Sequence, residues 1–124
     1  MSAASNYLEN KVLDHVLKNT AYSQPSSLYV GLFTNTSGNA ATNLEAGTLT
    51  DEVSTSGTAY ARQAATFAAA SGGTAATSAT ITFPTATASF GTITHVAVLD
   101  NSTGGNCLFW GAVTTSKTID GILA

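Results

Sequence analysis

Two histidines, one cysteine and seven carboxylates are the general acids, bases, nucleophiles and metal ligands that this chain carries besides its hydroxyls. His15 and His95 have no second His, Cys or carboxylate at a metal-ligand spacing, so a structural role is the default for His95 and an exposed or interface role for His15. Cys107 begins the run Cys107-Leu108-Phe109-Trp110, the setting of a buried apolar thiol. Serine is plentiful, but no Gly-x-Ser-x-Gly elbow occurs. Glu45, Asp51 and Glu52 could in principle supply a glycosidase acid/base pair, yet they fall in a Gly-, Ser- and Thr-rich stretch where solvated charge is ordinary. Nor do Asp51, Glu52, Asp100 and Asp120 form a 12-residue loop with oxygen ligands at alternate positions. No catalytic residue, no metal and no cofactor is expected.

Composition points away from chemistry as well. Four Lys and Arg and seven Asp and Glu make up 9% of the 124 residues, where soluble domains carry about a quarter. A surface kept wet by hydroxyls and amides suits contact with other chains. Lys11, Lys18, Arg62 and Lys117 are scattered singly, so no basic stripe exists to neutralise phosphates, and nucleic acid is not an expected partner. Asn6, Glu9, Lys11 and Asp14 interrupt the N-terminal apolar run, which argues against a secretory signal. No apolar run approaches the ~20 residues of a membrane helix. The expected place of synthesis is a cytoplasm, with no membrane partner.

The elements that would position these residues divide into a helix and a β region. Ser5 or Asn6 caps a helix over 6–18 whose apolar set Leu8, Val12, Leu13, Val16 and Leu17 recurs at steps of three and four. About 13 residues are marginal as an isolated helix, so the stripe must dock on its own domain or on a neighbour. From Ala21 onward the pattern is β. Strands are predicted over 27–34, 58–69, 79–84, 90–99 and 106–114, with a short final segment at 118–123. Leu28, Val30 and Leu32 alternate with Tyr29 and Phe33, so both faces of the first strand are apolar and it belongs inside a sheet. Residues 35–57 read as the longest loop and an exposed tip. Ser71-Gly72-Gly73 is a turn, and residues 100–105 form a hairpin loop in which Gly104 and Gly105 supply positive φ rather than a phosphate cradle. The expected fold class is mainly β, an antiparallel, jelly-roll-like β-sandwich (21–124) preceded by one amphipathic helix (1–20), the whole a single domain. If Arg62 faces inward it requires Glu52, Asp100 or a neighbouring subunit as its partner.

In order along the chain stand Asn6-Tyr7-Leu8-Glu9-Asn10-Lys11-Val12-Leu13-Asp14-His15-Val16-Leu17, Leu28-Tyr29-Val30-Gly31-Leu32-Phe33, Tyr60-Ala61-Arg62-Gln63 and Ile81-Thr82-Phe83-Pro84. They are followed by Gly91-Thr92-Ile93-Thr94-His95-Val96-Ala97-Val98-Leu99-Asp100 and Thr103-Gly104-Gly105-Asn106-Cys107-Leu108-Phe109-Trp110-Gly111. This order resembles a family of small tailed-bacteriophage virion proteins, labelled tail fibre or virion structural protein. The resemblance implies a β-sandwich component of the virion without enzymatic activity. Proteins of this kind continue past the Thr-Ser-Lys-Thr block with another strand, whereas here Ile122, Leu123 and Ala124 follow closely. An edge left open there would be completed by a neighbouring strand or covered by the N-terminal helix.

The leading expectation is a capsid decoration, or cement, protein, docked in many copies on the major capsid protein. A tail or head-fibre component involved in attachment to the host is the alternative. The chain shows neither the repeats nor the heptads of a fibre shaft. Assembly is expected as copies of itself, a trimer, with Leu13, Val16, Leu17, Arg62, Ile122 and Leu123 as the candidate interface.

Overall fold

The computed structural model describes residues 2–121. Seven elements follow in order: β1 (Ser2–Ala4), α1 (Asn6–Leu17), β2 (Leu28–Phe33), α2 (Ala40–Glu45), β3 (Gln63–Ala65), β4 (Gly91–Leu99) and β5 (Cys107–Ile119). The mainly-β antiparallel class with a preceding helix is what the chain adopts. Its five strands belong to a single sheet in the order β1-β5-β4-β2-β3, every neighbouring pair antiparallel. The layer against this sheet is not a second sheet but α2 and irregular chain.

The apolar residues decide that arrangement. Phe33, Ala97, Leu99 and Cys107, from β2, β4 and β5, are buried together with Leu44 of α2, and Leu49 and Trp110 pack against them. A second cluster joins Val53, Tyr60, Phe90 and Ile93, with Leu32, Phe83, Ala86 and Ile119 around it. Residues 35–57 are therefore not an exposed tip. Ala40, Leu44, Asp51 and Val53 draw the segment inward. Residues 79–84 form no strand, although Ile81 and Phe83 are half-buried. Of 58–69 only Gln63–Ala65 pairs with β2, because the rest of the same β2 edge is taken by an isolated bridge from Phe33 to Glu52. Residues 118–119 belong to β5, which runs well past residue 114.

The loop before α2 is held by Asp51, a residue 3% exposed. It accepts from the Ser37 hydroxyl at 2.6 Å, the Ser37 N–H at 3.1 Å and the Thr36 hydroxyl at 3.2 Å. Burial alone would raise this carboxyl, but the hydrogen bonds from Ser37, Thr36 and Asn43 together outweigh it and hold it below its ordinary value. Because the folded value lies below the unfolded one, the stabilisation is complete above the ordinary carboxylate range near pH 4 and is lost as pH falls through the depressed value. Asp51→Asn is thus expected to be less stable than wild type at neutral pH and to converge with it in acid. Urea midpoints from pH 7 to pH 3 check this, and a gap that stays constant with pH contradicts it.

Candidate assembly surface

At the start of α1, Ser5 caps the helix: its side chain accepts from the Leu8 N–H at 3.3 Å. The same residue ties the helix to the sheet, since its N–H donates to the Leu108 carbonyl at 2.8 Å and its hydroxyl donates to the Cys107 carbonyl. Leu8 is the one residue of α1 that is buried. At the other end the left-handed Asn19 (φ 56) reverses the chain, and Thr20 N–H reaches back to the Asp14 carbonyl. The returning segment lies along the polar side of the helix, where the Tyr22 N–H donates to Nδ1 of His15 at 3.2 Å. On that side too the Lys11 ammonium sits 5.6 Å from the centre of the Tyr7 ring.

The consequence is an inverted amphipathic helix. At 3.6 residues per turn, Val12, Leu13, Val16 and Leu17 fall together on the side away from Lys11 and His15. They are 45%, 53%, 69% and 78% exposed. A helix normally turns such a stripe to its own core; this one turns it to solvent. Three of the residues singled out from sequence, Leu13, Val16 and Leu17, thus share one uncovered patch.

A second uncovered apolar surface lies on the sheet. The pairings Val30↔Val98, Leu32↔Val96 and Val98↔Phe109 put these side chains on one face, opposite the face that α2 covers. Leu32 is taken up by the second core cluster, but beyond it Val30, Val96, Val98 and Phe109 line an open groove of about 340 Å³. Phe109 is 46% exposed. Sequence reasoning saw that β2 was apolar on both faces and placed it inside a sheet, where it lies between β4 and β3, but did not say what covers the second face. The alternation of Val96 and Val98 in β4 was the available signal.

Arg62 is placed differently from the stripe. Its side chain is 4% exposed and pairs with Glu52, one of the partners the sequence suggested. Nε donates to Oε2 and Nη2 to Oε1, each at 2.7 Å, while Nη1 donates to the Asn101 and Gly104 carbonyls of the 100–105 hairpin at 2.8 Å. Tyr60 completes the brace by donating its hydroxyl to Glu52 at 2.7 Å and accepting the Leu32 N–H at 3.1 Å. Burial, followed by the hydrogen bond to Glu52, pushes the phenol well above its ordinary value. A depression of about 590 Å³ opens beside this brace, but the polar groups are spent on one another. Ile122 and Leu123, the remaining candidates, lie outside the described residues.

The possible chemistry is committed elsewhere. Glu45 accepts the Trp110 indole N–H at 2.8 Å, Asp51 holds its loop and Glu52 holds Arg62. His95 bonds the Thr94 hydroxyl through Nδ1 at 2.8 Å and leans on the Trp110 ring. Burial, then the nearby Glu45, pushes the Cys107 thiol up to about 12, the opposite of an activated nucleophile. Among the described residues no group of three His, Cys, Asp or Glu side chains could hold a metal ion, and no helix is long and apolar enough to cross a membrane.

Comparison with known proteins gives one family. The family model described as Podophage GP4 fiber I protein gp80 matches residues 3–121. No curated protein matches the chain.

Proposed function

This chain belongs to the podophage GP4 fiber I protein gp80 family, and we propose from that premise that it is a non-enzymatic fibre subunit of a virion that engages other chains by apolar contact. The observation that carries this reading is the outward apolar stripe of α1, four aliphatic side chains held away from their own domain by the Ser5 and Leu8 anchor. Burying each fully against a partner contributes roughly 1.5–3 kcal/mol. Its partners on this reading are other virion proteins and copies of itself, as a trimer. The family description supports a fibre over the capsid-decoration role that composition suggested. The family's fibre label also supports a part in attachment to the host.

Counting the chain in purified particles by quantitative mass spectrometry against the major capsid protein tests the reading. A few to a few dozen copies per virion is the expected result. A count near a simple ratio to the capsid subunit would instead make it a decoration protein, and absence from the particle would remove the virion role.

A further inference from the structure

We propose that the continuation of β3 through residues 66–70 receives an extended strand from a different virion protein, which joins the sheet where β2 leaves off. β2 and β3 part after the Leu28↔Ala65 pair. Beyond it the chain runs on into a hairpin over 66–78, and Pro25, Ser26 and Ser27 face Thr66 and Phe67 across an open cleft of about 440 Å³. The hairpin turns at Gly72 and Gly73 (φ 61 and 79) and is clasped at its base by the Thr66 and Ser78 hydroxyls, 2.6 Å apart. Within it the Ser78 N–H donates to the Thr66 carbonyl and the Ala68 N–H to the Ala76 carbonyl, each at 2.9 Å. Successive residues of an antiparallel strand send their backbone groups to opposite sides, so Phe67, and Ala69 after it, turn theirs away from the return strand and toward the side that β2 has left. Neither residue's backbone has a hydrogen-bond partner among the described residues.

Unpaired N–H and C=O groups at strand spacing state what covers them, because only another extended polypeptide offers the matching ladder. An edge meant to stay in water is blunted by a charge, a proline or a bulge that twists it away. Residues 66–78 contain neither charge nor proline, and all of them are exposed. A hairpin of two strands is marginal in water by itself, so a third strand stabilises the hairpin it joins. The side chains specify the segment further. Ala68, Ala69 and Ala70 permit close approach, Phe67 at 37% exposure offers a ring to an apolar side chain opposite it, and the lack of charge suits an uncharged strand. A copy of this chain is a poor donor. Its strands lie in one sheet, and an edge strand would bring its neighbour into the 25–28 wall of the cleft. The inference rests on the virion reading for the source of the strand, but concerns a surface remote in sequence from the α1 stripe.

Hydrogen exchange of the purified protein and of the same chain in purified particles tests it. The Phe67 and Ala69 amides are expected to exchange freely in the isolated protein and at least about tenfold more slowly in the particle. Equal exchange in the two overturns the proposal while leaving the fibre reading intact, whereas absence of the chain from the particle overturns both. Ala69→Pro removes an outward N–H but none of the hairpin's own bonds, and is expected to lower incorporation into particles by about tenfold, while Ala69→Thr, which keeps the N–H, incorporates normally. Normal incorporation of Ala69→Pro contradicts the proposal, and should that variant misfold the exchange result still decides. A benzophenone side chain placed at position 67 is expected to cross-link to a different virion protein on irradiation of the particle. Cross-links to copies of this chain alone, or none, would refute the assigned donor.

Discussion

Arg62→Ala is expected to lower the unfolding free energy by about 3–5 kcal/mol, the cost of leaving a buried charge without its partner. Glu52, 17% exposed at its side chain, would keep only the Tyr60 hydroxyl. The loss reaches further than the pair. The same guanidinium holds the Asn101 and Gly104 carbonyls, so the hairpin between β4 and β5 loses its tether to the chain beside β2. Chemical denaturation measures the first effect, and faster hydrogen exchange at the hairpin amides, including the Asn106 N–H that Asp100 accepts at 2.7 Å, reports the second. Arg62→Met combined with Glu52→Leu removes both charges and is expected to recover most of the stability, because no uncompensated ion remains. An Arg62→Ala chain within about 1 kcal/mol of wild type would mean that the pair is solvated and that the brace does not hold.

What the sequence revealed and what it hid divide along physical lines. The α1 helix, β2, β4 and the hairpin loop were legible because each carries its own local signal: a cap with periodic aliphatics, strict alternation, and Gly104-Gly105 at φ 57 and 72. The short elements carry none. β1 is Ser-Ala-Ala, defined entirely by backbone bonds to β5, and α2 has six residues, too few for a period. In 58–69 and 79–84 the mixture of Ala, Thr and Ser reads equally as strand or as extended coil, and only competition for the edge of β2 decides which residues pair. The antiparallel, mainly-β class was legible, and a single sheet stands where a sandwich was expected on the same ground, since the strands expected over 58–69 and 79–84 are largely unpaired. At the candidate site the stripe was visible while its direction was not. That direction depends on Ser5 meeting β5, a contact a hundred residues apart in the chain, and on the burial of Leu8 one turn later.

The largest effect from a single apolar side chain is expected at Phe33. Its ring is fully buried at the junction of β2, β4 and α2, against Leu44, Ala97, Leu99 and Cys107. Phe33→Ala removes the ring's transfer energy and leaves a cavity that strands paired on both sides of β2 cannot close, a cost of about 3–5 kcal/mol. In a chain of this size that corresponds to a melting temperature lower by roughly 10–20 °C. The damage should not be uniform. A six-residue helix has no stability of its own, so α2 stays folded only while Leu44 has somewhere to go, and the 35–57 segment should loosen before the strands do. Cys107 reports this directly. In the native protein its thiol is buried and raised to about 12, so a maleimide should react slowly at neutral pH, whereas in Phe33→Ala the rate should rise at denaturant concentrations below the global transition. If the thiol instead becomes reactive only at the main unfolding midpoint, α2 and the sheet unfold as one unit. The Phe33 ring would then stabilise the whole sheet evenly rather than seat α2.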